Sequence, residues 1–110
     1  MGRTALQPSR AVADALVAWG DAIRTARIRR DWRMPDLATK AGVSESTLQS
    51  VEHGAPGVGA GAYLSAMWAL GLLRLTEGMM DPTADAAGAL LEGQRRKTRV
   101  RTARDLDDNF

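Results

Sequence analysis

Met34-Pro-Asp-Leu-Ala-Thr-Lys-Ala-Gly-Val-Ser-Glu-Ser-Thr-Leu-Gln-Ser-Val-Glu-His-Gly54 reads as two short helices and the turn between them. Pro35 suits a first helical turn, where its missing N–H has no partner to lose, and Asp36 is favourable near the positive end of the helix dipole. Leu37, Ala38 and Ala41 carry this helix to Gly42, the residue type that most readily takes the left-handed conformation at a helix C-terminus. Ser44 then stands where an N-cap belongs, and Thr47, Leu48, Val51 and Glu52 continue a second helix to another glycine stop at His53-Gly54. Leu37, Ala38, Val43, Leu48 and Val51 lie where two such helices must pack, while Ala38 and Gly42 are small enough to let backbones approach. What is left on the second helix is short and polar: Glu45, Ser46, Gln49 and Ser50.

Upstream, Pro8-Ser9 precedes Val12, Leu16, Trp19, Ile23 and Ala26, a stripe spaced by fours and threes that predicts a helix over about 10–30. Gly20 inside it marks either a kink or a close helix contact. Downstream, a glycine-rich connector runs from Gly54 to Gly61. It is no phosphate-binding loop, since neither Gly-Lys-Ser/Thr nor a preceding strand accompanies it. Leu64, Met67, Trp68 and Leu70 then predict a fourth helix from Ala62 to Gly71, and Leu72, Leu75 and Met79 a short fifth. Asp81-Pro82 signals a boundary, after which Thr83 is placed to cap a segment with a weak face of Ala86, Ala87, Leu90 and Leu91. No stretch alternates with period two. The fold class is therefore all-α, divided into a flexible N-terminus (1–9), a five-helix domain (10–80), a helical C-terminal extension (81–97) and a flexible charged tail (98–110).

The chain has 110 residues, 45% hydrophobic and 25% charged, enough for one modest core. With no cysteine and a single histidine, His53, it has neither disulfides nor thiolate metal ligands, and no cofactor is expected. No apolar stretch is long enough for a bilayer crossing, and the region around Arg3 and Arg10 lacks the apolar block of a secretory leader, so a cytoplasmic location and no membrane partner are expected. No residue set combines nucleophile, base and charge stabiliser, which argues against an enzyme.

The net charge of +2 conceals strong segregation. Arg24, Arg27, Arg29, Arg30 and Arg33 stand against Asp31 alone, and Arg95, Arg96, Lys97, Arg99, Arg101 and Arg104 form a run without any acid. Between these blocks Asp36, Glu45, Glu52, Glu77, Asp81, Asp85 and Glu92 outnumber Lys40 and Arg74. Two basic surfaces suit a polyanion, because each phosphate contact releases counterions. A solvated helix face serves equally well for the first block, and a disordered tail without a partner is the simpler expectation for the second.

A helix, a glycine-containing turn and a second helix form the arrangement that presents a recognition helix to the major groove. In Trp32, Leu37-Ala38, Ala41-Gly42-Val43-Ser44, Thr47-Leu48, Val51-Glu52 and Gly54, with Ala69-Leu70-Gly71 further on, the chain resembles the Cro/C1-type helix-turn-helix family over roughly residues 19–75. The Asp81-Pro82, Gly88 and Leu91-Glu92 segment and the arginine-rich run resemble the HipB-like antitoxin subgroup. The resemblance implies a homodimeric repressor of its own operon that binds double-stranded DNA, or alternatively an antitoxin that neutralises a HipA-like kinase toxin. It implies base contacts from Glu45, Ser46 and Gln49 and phosphate contacts from Ser44, Thr47 and Ser50. Gln49 suits adenine, Glu45 cytosine, and Ser46 several bases. Arg27 and Glu52 match positions that form a partly buried ion pair.

Met34 stands where the family usually has Gln, and the second helix has no Arg or Lys. Affinity is therefore expected to draw on Arg29, Arg30, Arg33, Lys40 and the C-terminal run. His53 is expected to favour the helix dipole when protonated, with a phosphate contact as its second role. Trp32 and Trp68 are expected in the core, and Trp19 in the core or in a subunit contact. Met67, Met79 and Met80 with Leu72, Leu73 and Leu75 are expected either to complete the core or to self-associate.

Overall fold

The computed structural model describes residues 7–108, with side chains through Thr102. Among the described residues the regular elements are all helices: α1 (Arg10–Arg29), α2 (Met34–Ala41), α3 (Glu45–Glu52), α4 (Ala60–Ala69) and α5 (Ala86–Asp108), with 3₁₀ turns at Leu73–Thr76 and Pro82–Ala84. The chain divides into a unit ending at Leu75 and a second beginning at Thr76.

In the first unit, α2 packs on α3 and α4, and α1 lies against α3. The core takes Ile23 and Ala26 from α1, Leu37 and Ala38 from α2, Leu48 and Val51 from α3, Tyr63 and Ala66 from α4, and then Leu70. Leu37, Leu48 and Val51 are wholly buried, each contributing roughly 1.5–3 kcal/mol of transfer free energy. The predicted stripe of α1 is engaged only in its C-terminal half. Ile23 and Ala26 are buried and Leu16 packs partly, but Val12 lies half exposed on turns that extend past the core.

Backbone geometry follows the local residue types. The α1 cap is Ser9, whose side chain accepts from the Val12 N–H. The helix ends at a left-handed Asp31 (φ 56°), a conformation that the short polar side chain tolerates. The Asp36 carboxylate accepts from the Arg33 N–H (2.9 Å) and closes the first turn of α2. Gly42 (φ 71°) terminates α2 and sends its own N–H to Ala38 and Thr39 carbonyls, turning the chain within three residues into α3.

Gly20 proves to be a site of close approach. A Cβ there would lie 2.4 Å from the Val51 carbonyl oxygen and 2.8 Å from that of Glu52, so α1 runs directly against the backbone at the end of α3. Gly54 (φ 72°) completes the contact from the other side, where a Cβ would sit 2.5 Å from the Val17 Cα.

Two expectations are corrected. Trp68 is 62% exposed; the inner face of α4 is Tyr63, Ala66 and, just beyond the helix, Leu70, with Met67 packed at its edge. This helix is apolar nearly all round, so its pattern does not single out a face. The predicted fifth helix is only a 3₁₀ turn, Leu73–Thr76, since Gly71 and Gly78 leave too few residues between them to nucleate an α-helix. Of the apolar group expected either to complete the core or to self-associate, Met67 and Leu72 pack against the core and Leu73, Leu75, Met79 and Met80 are exposed.

In the second unit, Asp85 rather than Thr83 caps the segment with Ala86, Ala87, Leu90 and Leu91, and Asp81 caps the Pro82–Ala84 turn, accepting from the Thr83 N–H (2.9 Å) and hydroxyl (2.7 Å). These two bonds hold its carboxyl below the usual carboxylate range. Asp85 caps α5 by accepting from the Gly88 N–H (2.9 Å). Helix α5 then continues across residue 98, the expected start of a flexible tail, because the Gln, Arg, Lys and Ala that fill it are good helix formers. Among the described residues no helix is long and apolar enough to cross a membrane.

Candidate nucleic-acid interface

Helix α3 is anchored on one side and open on the other. At about 100° per residue, Glu45, Gln49, His53, Ser46 and Ser50 follow one another around an arc of about 140°. Leu48 and Val51 on the opposite side are wholly buried. Glu45, Ser46, Gln49 and His53 are exposed, and Ser50 is half-buried. The candidate base-reading residues therefore share one outward face. Gln49 also borders a cleft of about 760 Å³ between α1 and α3, with Asp14, Asp21 and Arg24 along its α1 side.

The ends of α3 are fixed by hydrogen bonds. The Ser44 hydroxyl accepts from the Thr47 N–H (3.0 Å) and donates to Thr47 Oγ1 (2.9 Å). Ser44 thus has a full capping role, and the hydroxyl proton of Thr47 is the one left to give outward. His53 is the C-cap residue, and its Nδ1 donates to the Gln49 carbonyl (2.7 Å). Because a carbonyl can only accept, the proton sits on Nδ1; Nε2 becomes a donor only in the imidazolium form.

The ion pair implied by the resemblance is present. Arg27 Nε donates to Glu52 Oε2 (2.8 Å), Nη2 to Oε1 (2.9 Å), and Nη1 to the Trp32 carbonyl (3.0 Å). The Glu52 side chain is 2% exposed and that of Arg27 12%. Hydrogen bonding to Glu52 raises the Arg27 pKa above its ordinary value despite the opposing cost of burial. This bidentate clamp ties the end of α3 to α1 and to the chain entering α2.

The other cations are distributed unevenly. Arg30 donates to the Ala26 carbonyl (2.8 Å) and, forty residues away, to that of Leu70 (3.0 Å), fastening the end of α4 to α1. Sequence reasoning missed this role, which depends on a carbonyl that only the fold brings near. Lys40 lies 4.7 Å from the centre of the Trp32 ring, a cation–π contact over a tryptophan that is half-buried against the core. Arg33 is largely exposed, with its Nε 3.6 Å from Asp36. Arg24 and Arg29 are exposed on α1. With Glu52 paired to Arg27, the outward face of α3 carries Glu45 as its carboxylate beside the imidazole of His53. It can discriminate hydrogen-bonding partners but has little attraction for phosphate.

Tyr63 is a structural residue that the pattern did not reveal. Its hydroxyl donates to the Ala55 carbonyl (2.8 Å), pinning the glycine-rich connector, and the Trp19 ring meets it edge-on at 6.3 Å. Burial pushes its phenol pKa up. Among the described residues no cluster of His, Asp and Glu is arranged to hold a metal ion. No family model, curated protein or solved structure matches this chain.

Proposed function

We propose that the protein is a sequence-specific DNA-binding repressor of the Cro/C1 helix-turn-helix type, acting as a homodimer on double-stranded DNA that includes its own operon. The observation that carries this reading is the outward polar arc of α3, backed by the fully buried Leu48 and Val51 and entered through a turn set by Gly42. An α-helix of ordinary diameter fits the major groove, and short polar side chains on its open face are suited to reading base edges. Gln49 pairs with adenine N6 and N7, Glu45 accepts from cytosine N4, and Ser46 lies between them on the arc.

Pairing of two chains gives access to two half-sites about 34 Å apart, which one module does not span. The exposed Trp68, grouped with Leu64 and Leu73 around a shallow hollow on the first unit, is the surface we assign to that contact.

Selection from a randomised duplex pool tests the reading. The full chain should enrich a motif with half-sites one helical turn apart. Gln49→Ala should lose preference at one position of each half-site, by a factor of about 5–150 for a lost bidentate contact worth roughly 1–3 kcal/mol. A pool with no enriched motif, or a motif identical in the variant at every position, refutes the assignment.

A further inference from the structure

Helix α5 carries Arg95, Arg96, Lys97, Arg99 and Arg101, all exposed, with no acid between Glu92 and Asp105. Among the described residues, Arg96 pairs with Glu92 and the other four cations have no ion pair. At about 100° per residue the five positions spread over about 240° of the helix circumference. Gln94, Thr98 and Thr102 occupy the remaining seam with Leu91, and the two threonine hydroxyls turn back to the carbonyls of Gln94 and Thr98. Arg95 and Arg99, like Lys97 and Arg101, are like charges four residues apart, and such pairs work against the helix in isolation. A polyanion removes that repulsion.

We propose that α5 is a second DNA-binding element, a basic helix that lies in the major groove and supplies the phosphate contacts α3 lacks. The inference rests on the DNA-binding reading of the first unit for its choice of polyanion. The shape of the charge distribution supports that choice. A helix 10–12 Å across fits a groove about 12 Å wide, and cations on most of its circumference meet the phosphates of both walls. A membrane surface calls for a broad apolar face opposite the charges. Here Val100 is an isolated apolar residue within the cationic arc, and the opposite seam is mostly polar. Duplex RNA offers a major groove too narrow and deep for a helix. In the first unit α3 contains no cation of its own, and the exposed Arg24, Arg29, Arg30, Arg33 and Lys40 lie on or next to α1 and α2, so the reading helix itself has no phosphate-binding charge.

The experiment is the salt dependence of binding by the full chain to a duplex of unselected sequence and to the enriched motif. It compares wild type with Arg95→Gln/Lys97→Gln/Arg99→Gln/Arg101→Gln and with a charge-retaining Arg95→Lys/Arg99→Lys/Arg101→Lys variant, with helicity followed by circular dichroism. The glutamine variant should bind both duplexes more weakly and flatten the plot of log K against log salt by about 0.9 per lost contact, up to about 3.6 for four. The lysine variant should keep the wild-type slope. An unchanged slope in the glutamine variant overturns the assignment of α5 and leaves the α3 reading intact. Equal weakening in the lysine variant also overturns it, because charge would not be the agent. Binding of every duplex alike by wild type, lost in the glutamine variant, supports α5 while refuting α3. Tighter binding to phosphatidylserine vesicles or to an RNA hairpin than to duplex DNA at the same salt rejects DNA as the partner.

Discussion

Replacing Arg27 with Met is the most searching perturbation of the first unit. It removes two hydrogen bonds to Glu52 and one to the Trp32 carbonyl while leaving a carboxylate whose side chain is 2% exposed. Stranding a buried charge in this way costs about 3–5 kcal/mol. At roughly 0.05–0.15 kcal/mol per residue, a unit of this size has only about 3–10 kcal/mol in total. The variant should therefore be largely unfolded or close to it at neutral pH. Arg27→Met/Glu52→Met removes both charges together and should recover most of the loss, giving a coupling of several kcal/mol in a double-mutant cycle. Urea unfolding followed by circular dichroism measures all four chains. If the single variant loses less than about 1 kcal/mol, or the double variant is as unstable as the single, the clamp does not hold the end of α3.

Gly20→Ala sets two effects against each other. Helix propensity favours Ala by about 1 kcal/mol, but its Cβ would fall 2.4 Å from a backbone oxygen that cannot swing away; the steric term should win and give a net loss of roughly 1–3 kcal/mol in urea unfolding, and a stabilised variant would mean that α1 and α3 are not so closely apposed. Tyr63 is the only tyrosine, so tyrosinate absorbance reports it directly. Its folded pKa is raised above the unfolded value, so the stability it confers is complete below about pH 10 and is lost as pH rises through the folded value; Tyr63→Phe should abolish that part of the alkaline decline, and an unaltered decline would assign it to other groups. Trp68→Asp places a charge on an exposed surface and should leave the unfolding midpoint of the first unit nearly unchanged while converting a dimer to a monomer in sedimentation equilibrium; an unaltered dimer would move the contact elsewhere.

The legible parts of the fold are those in which one residue type determines local geometry. Gly42, Ser44 and Gly54 placed the ends of α2 and α3, because a left-handed stop and a side-chain cap are single-residue effects. Leu48 and Val51 were assignable to the core because each stands between polar neighbours, and Leu37 because it is the large apolar residue of a short helix whose other apolar positions are mostly alanine. Helix α4 was less readable. Where Tyr63, Leu64, Met67 and Trp68 are all apolar, periodicity does not choose a face, and the tertiary packing of Tyr63 against Ala55 and Trp19 made the choice. Arg30 has a second role that its place in a basic block does not reveal: the fold brings the Leu70 carbonyl to it while leaving it exposed. The polar arc of α3 was visible as residue types, but the distinction between a Ser44 hydroxyl occupied in capping and a Thr47 hydroxyl with a proton to spare is a matter of hydrogen-bond direction.

On the proposed DNA-binding reading, these placements separate affinity from specificity along the chain. A duplex is held at phosphates, through charge that is indifferent to sequence, and read at base edges, through hydrogen bonds that carry little net attraction. In the first unit Arg27 and Arg30 are engaged by internal hydrogen bonds, Arg30 while remaining exposed, and the open face of α3 is almost neutral. Such a face binds weakly everywhere and so discriminates well only when attraction comes from another element. A basic helix beyond Thr76 is suited to that part because its cations are solvent-facing and its own stability gains from an anionic neighbour. Neutralising α5 should therefore lower affinity for all sequences in similar proportion, whereas altering Gln49 should change the ranking of sequences with little change in the salt slope. Loss of both properties from either change alone would mean that the two elements act as one surface.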